Sequence, residues 1–140
     1  MKKTFFIGLV SFISILMISN SCNYGYEDCH NNIVLKNNSS STIYYASTLK
    51  DNFFNYDPTD PKISADYKVP PKEEKNVKIG ITLSCWEQVM ESATGYVYIY
   101  IYDAAMLEST PWADAKTKYI KKYTLNADQL NKAGWTVTYP

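Results

Sequence analysis

Apolar and polar residues alternate with period two in two stretches of the chain. Val77, Ile79, Ile81 and Leu83 are separated by Lys78, Gly80 and Thr82, the pattern of a strand with one face buried and one wet. Tyr96-Val97-Tyr98-Ile99-Tyr100-Ile101-Tyr102 alternates again. It predicts a central strand with Val97, Ile99 and Ile101 on one face and Tyr96, Tyr98, Tyr100 and Tyr102 on the other. Ile33–Asn37 and Thr42–Ser47, joined by the turn residues Asn38-Ser39-Ser40-Ser41, predict a first strand and its antiparallel partner. Tyr119–Leu125 and Trp135–Pro140 supply two more. Helical spacing intervenes at Cys85–Glu91, with Trp86, Val89 and Met90 inward, and Ala104–Glu108 reads as a helical turn. Thr110 is a plausible cap before Pro111. Asn126 precedes Gln129 at capping-box spacing, and Gly134 can stop the short helix between. Residues 50–76 carry Pro58, Pro61, Pro70 and Pro71 and read as a long loop with at most one short strand near Ile63–Val69. Such a loop is either a binding edge or a tolerated insertion. Six or seven short strands with small connectors predict a mainly β fold: an antiparallel immunoglobulin-like or related β-sandwich with short helical connectors.

The pattern changes at the N-terminus. Lys2 and Lys3 precede an apolar run from Phe5 to Ile18, then Ser19-Asn20-Ser21 leads to Cys22, the layout of an export signal over residues 1–21. The run is shorter than the ~20 residues a membrane-crossing helix needs. Cys22 directly after Ser21 looks like the lipid-attachment cysteine of a bacterial lipoprotein signal, although Ser19 stands where an aliphatic residue is usual. Several acyl chains hold a small domain on a membrane where one binds marginally. The expected organisation is a signal over 1–21, a tether over 22–32 and a single β-rich domain over 33–140. The expected location is the bacterial cell envelope, lipid-anchored at the outer membrane.

Charge narrows the partners. The 140-residue chain has 14 lysines, no arginine and 14 acidic residues. Loss of Lys2 and Lys3 with the leader leaves a net charge of −2, which argues against nucleic acid as a partner. With Cys22 lipidated, Cys29 and Cys85 remain in an oxidising compartment, where such pairs often form disulfides. The alternative is a buried, unpaired Cys85 with Cys29 on an exposed loop.

The segment Lys121-Lys122-Tyr123-Thr124-Leu125-Asn126, with Asp128, Leu130 and Asn131-Lys132-Ala133-Gly134-Trp135-Thr136-Val137-Thr138-Tyr139-Pro140, resembles the ending of a group of small Bacteroidetes lipoproteins without assigned activity. The likeness extends loosely to the signal, the early Asn-Ser-Ser turn, Trp86, the Tyr/Ile strand ending at Asp103 and the Trp112 turn. It implies an envelope lipoprotein with a compact β-sandwich-like domain, and it carries no catalytic residue across. Glu27-Asp28 is similar to the acidic residues that favour surface display in that phylum. Their distance from Cys22 leaves surface and periplasmic orientations open.

Catalytic chemistry finds little footing. His30 is the only histidine and reads as an exposed loop residue; with Cys29 it offers two zinc ligands and no partners at motif spacing. Glu87 and Glu91 share a helix face, and Asp103 and Asp114 flank Trp112, but such carboxylates are normally solvated surface. No phosphate loop, HExxH or GxSxG occurs. The reading names no catalytic residues, no metal and no cofactor. The 13 tyrosines offer a sharper idea. Tyr96, Tyr98, Tyr100 and Tyr102, spaced about 7 Å apart, form either a binding face or packing beneath loops and helices, while Trp86, Trp112 and Trp135 read as core. The expected function is that of a non-enzymatic accessory or protein-interaction lipoprotein of the envelope, the alternative being a glycan or small-ligand module using the aromatic face.

Overall fold

The computed structural model describes residues 29–52, 55–78 and 85–140. The export signal, Cys22 and most of the strand expected over 77–83 lie outside the described residues. In chain order the elements are β1 (Val34–Asn37), β2 (Ile43–Thr48), α1 (Ser64–Tyr67), β3 (Lys68–Val69), β4 (Glu74–Asn76), α2 (Trp86–Glu91), β5 (Val97–Asp103), α3 (Ala104–Ser109), α4 (Trp112–Ala115), β6 (Lys121–Leu125), α5 (Ala127–Lys132) and β7 (Thr136–Tyr139). They form a mixed α/β fold with two small sheets, one ordered β4-β1-β7 and the other β3-β2-β5-β6. The second is antiparallel throughout. In the first, β1 pairs antiparallel with β4 and parallel with β7.

Two expectations are corrected here. β1 and β2 do not form a hairpin, because the chain changes sheets between them. Asn37, fully buried, makes that step: its Nδ2 donates to the carbonyls of Ser41, Val69 and Pro70, and its Oδ1 accepts from the amide and hydroxyl of Ser39. One amide side chain thus ties the end of β1 to the turn and to the β3–β4 connection. The 50–76 stretch, expected as loop, contains α1, β3 and β4. β4 is Glu-Lys-Asn on a sheet edge, where pairing through the backbone needs no apolar side chain.

β5 is buried on both faces from Val97 to Tyr102. Val97, Ile99 and Ile101 belong to one core cluster with Ile33, Leu35, Val77 and Val137 of and beside the first sheet. Two tyrosines lace the sheets together. The Tyr45 hydroxyl lies 3.0 Å from the Asn76 carbonyl and 3.2 Å from that of Asp66, and accepts from the Lys78 amide. Tyr123 donates to the Thr138 carbonyl at 2.8 Å, so β6 is held over β7 at the opposite edge.

Asn37→Leu is expected to lower stability by about 2–4 kcal/mol, because it strips donors from buried carbonyls; urea unfolding with an unchanged slope checks it. Burial pushes the Tyr45, Tyr100 and Tyr102 phenols above the ordinary tyrosine value. The unfolded chain releases those protons near pH ~10 while the folded one retains them, so stability should fall as pH rises beyond that point. Phenolate absorbance followed alongside unfolding tests the coupling: three phenols titrating at the ordinary value in the folded state would contradict it.

Candidate functional site

The tyrosine face of β5 is built by cross-strand pairing. Tyr102 lies opposite Tyr44, Tyr100 opposite Ala46 and Tyr98 opposite Thr48, while Lys122 and Thr124 of β6 flank Tyr100 and Tyr98. Each phenol then finds its own cover. Tyr102 is overlaid edge-on by Trp112 at 5.5 Å and donates to the Lys116 carbonyl at 2.9 Å. Tyr44 donates to Glu108 at 2.9 Å, and Glu108 pairs with Lys68 at 2.6 Å. Tyr100 donates to Asp51 at 3.1 Å, with Tyr119 edge-on at 5.2 Å. Lys122 pairs with Asp51 at 2.5 Å, its Nζ lying 5.1 Å from the Tyr98 ring centre and 5.5 Å from that of Tyr100. Of the four tyrosines considered as a binding face, Tyr98, Tyr100 and Tyr102 are therefore buried and Tyr96, tilted against Tyr98, is 40 % exposed.

These contacts set two carboxylates. Hydrogen bonds from Lys122 and then Tyr100 hold Asp51 below its usual range, and Lys68 and then Tyr44 do the same for Glu108. Asp103, weighed above as half of a carboxylate pair, instead caps α3 by accepting from the Met106 amide. Asp114 is exposed. α4 begins one residue later than Thr110-Pro111 suggests, with Pro111 in the N-cap position. The Asn126–Gln129 capping box is present at the start of α5.

A second cluster sits at the N-terminal end of the described residues, around Cys29 and His30. Cys29 and Cys85 are joined by a disulfide with Cα atoms 5.1 Å apart. Cys85 occupies the N-cap of α2 without capping it by side chain; the helix's first amide, that of Trp86, donates instead to the His30 carbonyl at 2.9 Å. Glu87 closes the loop. Its Oε2 accepts from the His30 amide at 3.1 Å, and its Oε1 lies 2.5 Å from His30 Nδ1. The His30 ring stacks on Trp135 at 4.2 Å and 14°. His30 is therefore not the free loop histidine the sequence suggests, and Glu87 is largely buried while Glu91 stays exposed.

Trp135 pays for its place in backbone conformation, at φ +56° directly after Gly134 at φ +58°. A non-glycine residue there costs about 1–2 kcal/mol, offset by burial of the indole and the stack on His30. Its Nε1 is buried and has no hydrogen-bond partner among the described residues. A histidine oriented by a carboxylate is half of an acid–base arrangement, but the neighbouring Cys29 sulfur is consumed in the disulfide. The cluster ties Cys29 and His30 to α2 and to Trp135. Sequence reasoning missed the His30–Glu87 contact, which spans 57 positions.

Among the described residues, no group of three or more His, Cys, Asp and Glu side chains is placed to hold a metal ion. No helix among them is long and apolar enough to cross a membrane.

Cys85→Ala should lower stability by about 2–4 kcal/mol relative to the oxidised parent, an effect that reductant added to the parent reproduces in denaturant unfolding. Lys122→Gln should raise the Asp51 pKa toward its ordinary value. The Asp51 contact stabilises the fold above the ordinary carboxylate pKa and is lost as pH falls through the depressed one. An NMR titration of the Asp51 carboxyl that is unmoved by the substitution would refute that assignment.

No family model, curated protein or solved structure matches this chain.

Proposed function

We propose that this chain is a lipid-anchored accessory protein of the bacterial cell envelope, at the outer membrane, whose folded domain works by contact with another envelope component and not by catalysis. The two sheets, sharing one core and laced at both edges, are read as the layers of a β-sandwich related to immunoglobulin-like folds. The resemblance of the signal and the C-terminal segment to small Bacteroidetes lipoproteins supports the address.

One observation carries the functional reading: Tyr119 and Ile120 are exposed next to Lys118 and Lys121 at the end of the β5–β6 pair away from Cys29 and His30, while Tyr96 is exposed alone at the near end. The Cys29–Cys85 and His30–Glu87 contacts fix the tether beside α2, which packs against α5, and both helices adjoin the Val97–Leu125 end of the β5–β6 pair. Tyr119, 38 % exposed, and Ile120, 49 % exposed, lie at the other end, beside Lys121 and Ile101. A domain held by one end presents the other. The glycan alternative draws on Tyr96 alone, since Tyr98, Tyr100 and Tyr102 are spent on packing; a protein contact is the better reading.

The test is the intact mass of protein extracted from its native membrane, before and after reduction. A chain beginning at Cys22 and carrying acyl chains, with two hydrogens gained on reduction, is the expected result. A mass without lipid would sink the anchor and make a diffusible ligand the better hypothesis.

A further inference from the structure

The segment between α4 and β6, with the start of β6, reads Lys116-Thr117-Lys118-Tyr119-Ile120-Lys121-Lys122. Four lysines fall within seven residues of a chain whose overall charge is near zero. Lys122 is paired with Asp51, whereas Lys116, Lys118 and Lys121 make no ion pair among the described residues. Between them stand Tyr119 and Ile120, two of the four most exposed large apolar side chains described. The same segment runs into β6, the last strand of its sheet, which pairs with β5 on one side and with no strand on the other among the described residues. The outer edge of β6 (Lys121–Leu125), with no strand beside it among the described residues, thus adjoins lysines without an ion pair and exposed apolar side chains, while the amides of Lys116, Lys118 and Ile120 are already bonded within the domain.

An open edge accepts an added strand through main-chain hydrogen bonds, while side chains decide which strand is accepted. Lysines on that edge repel a second copy of this chain, whose own edge is equally basic, and attract an acidic segment. A lipid surface fits the composition but not the placement, because the lysines of this edge lie at the Ile101–Lys121 end of the β5–β6 pair, away from Cys29 and His30. A nucleic acid would engage the charge but leave the backbone edge unused. From these observations we infer that the 116–125 edge docks an extended acidic segment of a partner protein, added as a strand beside β6, with Lys116, Lys118 and Lys121 facing its carboxylates and Tyr119 and Ile120 covering its apolar positions. This names the partner for the contact surface proposed above and rests on that reading only for which end is displayed.

The probe is a labelled peptide of alternating Glu and Thr, about ten residues long, titrated by fluorescence anisotropy into the mature protein in neutral detergent. Binding is expected, weakening with salt, and Lys118→Glu/Lys121→Glu should reduce the affinity at least about tenfold. Lys62→Glu/Lys132→Glu, at exposed lysines elsewhere, should leave it unchanged. A Glu–Thr peptide of the same length and charge with every backbone nitrogen methylated has no N–H to donate to a strand edge and should bind much more weakly. This comparison needs no variant to fold. Equal binding of the N-methylated peptide, or no binding of the unmethylated one, overturns the proposal. So does a preference of the same lysines for phosphatidylglycerol-containing vesicles over phosphatidylcholine ones. The anchor is judged separately by intact mass, so an acylated protein that ignores the acidic peptide loses the docking edge and keeps its address. A protein without lipid that binds the peptide does the reverse.

Discussion

A strand carrying tyrosines on one face and aliphatic residues on the other is buried on both faces at a cost unless its tyrosines find polar partners. Tyr100 and Tyr102 of β5 find them by hydrogen bond and Tyr98 by a cation over its ring, and much of the domain is arranged around these contacts. Tyr102 reaches the Lys116 carbonyl and Tyr100 reaches Asp51, while Tyr98 lies under the Lys122 ammonium. An unpartnered hydroxyl in that position would cost about 1–3 kcal/mol, enough to undo much of what burying the ring contributes. The positions of α4, of the loop bearing Asp51 and of β6 are therefore constrained by side-chain tips on a single strand.

The opposite face of the same sheet imposes a different order. There Tyr45 and Tyr123 direct their hydroxyls to backbone carbonyls of or beside the first sheet, at Asn76 on one edge and Thr138 on the other. The sheets are thus held both by a shared apolar core and by directional bonds at their rims. Asn37 adds a third tie where the chain crosses from one sheet to the other. Apolar packing alone tolerates sliding of one layer over the other; bonds at two edges and a crossing do not.

Legibility in the sequence followed the range of the interaction. β5, α2 and the Asn126–Gln129 capping box could be read because each is decided within a window of a few residues. β4 could not, since Glu74-Lys75-Asn76 becomes a strand only because β1 offers it an edge. The parallel pairing of β1 with β7 joins positions about a hundred residues apart in sequence and leaves no periodic trace; such non-local contacts cost the most loop entropy and show least in local pattern. The tether cluster is invisible for the same reason. His30 and Glu87 each look like ordinary surface residues until the Cys29–Cys85 bond and the Trp135 turn bring them together. The lysines between 116 and 122 were not singled out in the sequence, because their meaning depends on β6 being the last strand of its sheet.

On the anchoring proposed above, the two ends of the β5–β6 pair would take on opposite duties. From the Val97–Leu125 pair to the Ile101–Lys121 pair is about 13 Å of strand. The disulfide and the Glu87 contacts hold Cys29 and His30 at the α2 end, whereas Tyr119, Ile120 and the lysines of 116–122 lie at the other. A disulfide between residues 56 positions apart in sequence thereby fixes the end of the domain at which the chain enters it, and under that proposal it would set which surface is displayed to a partner.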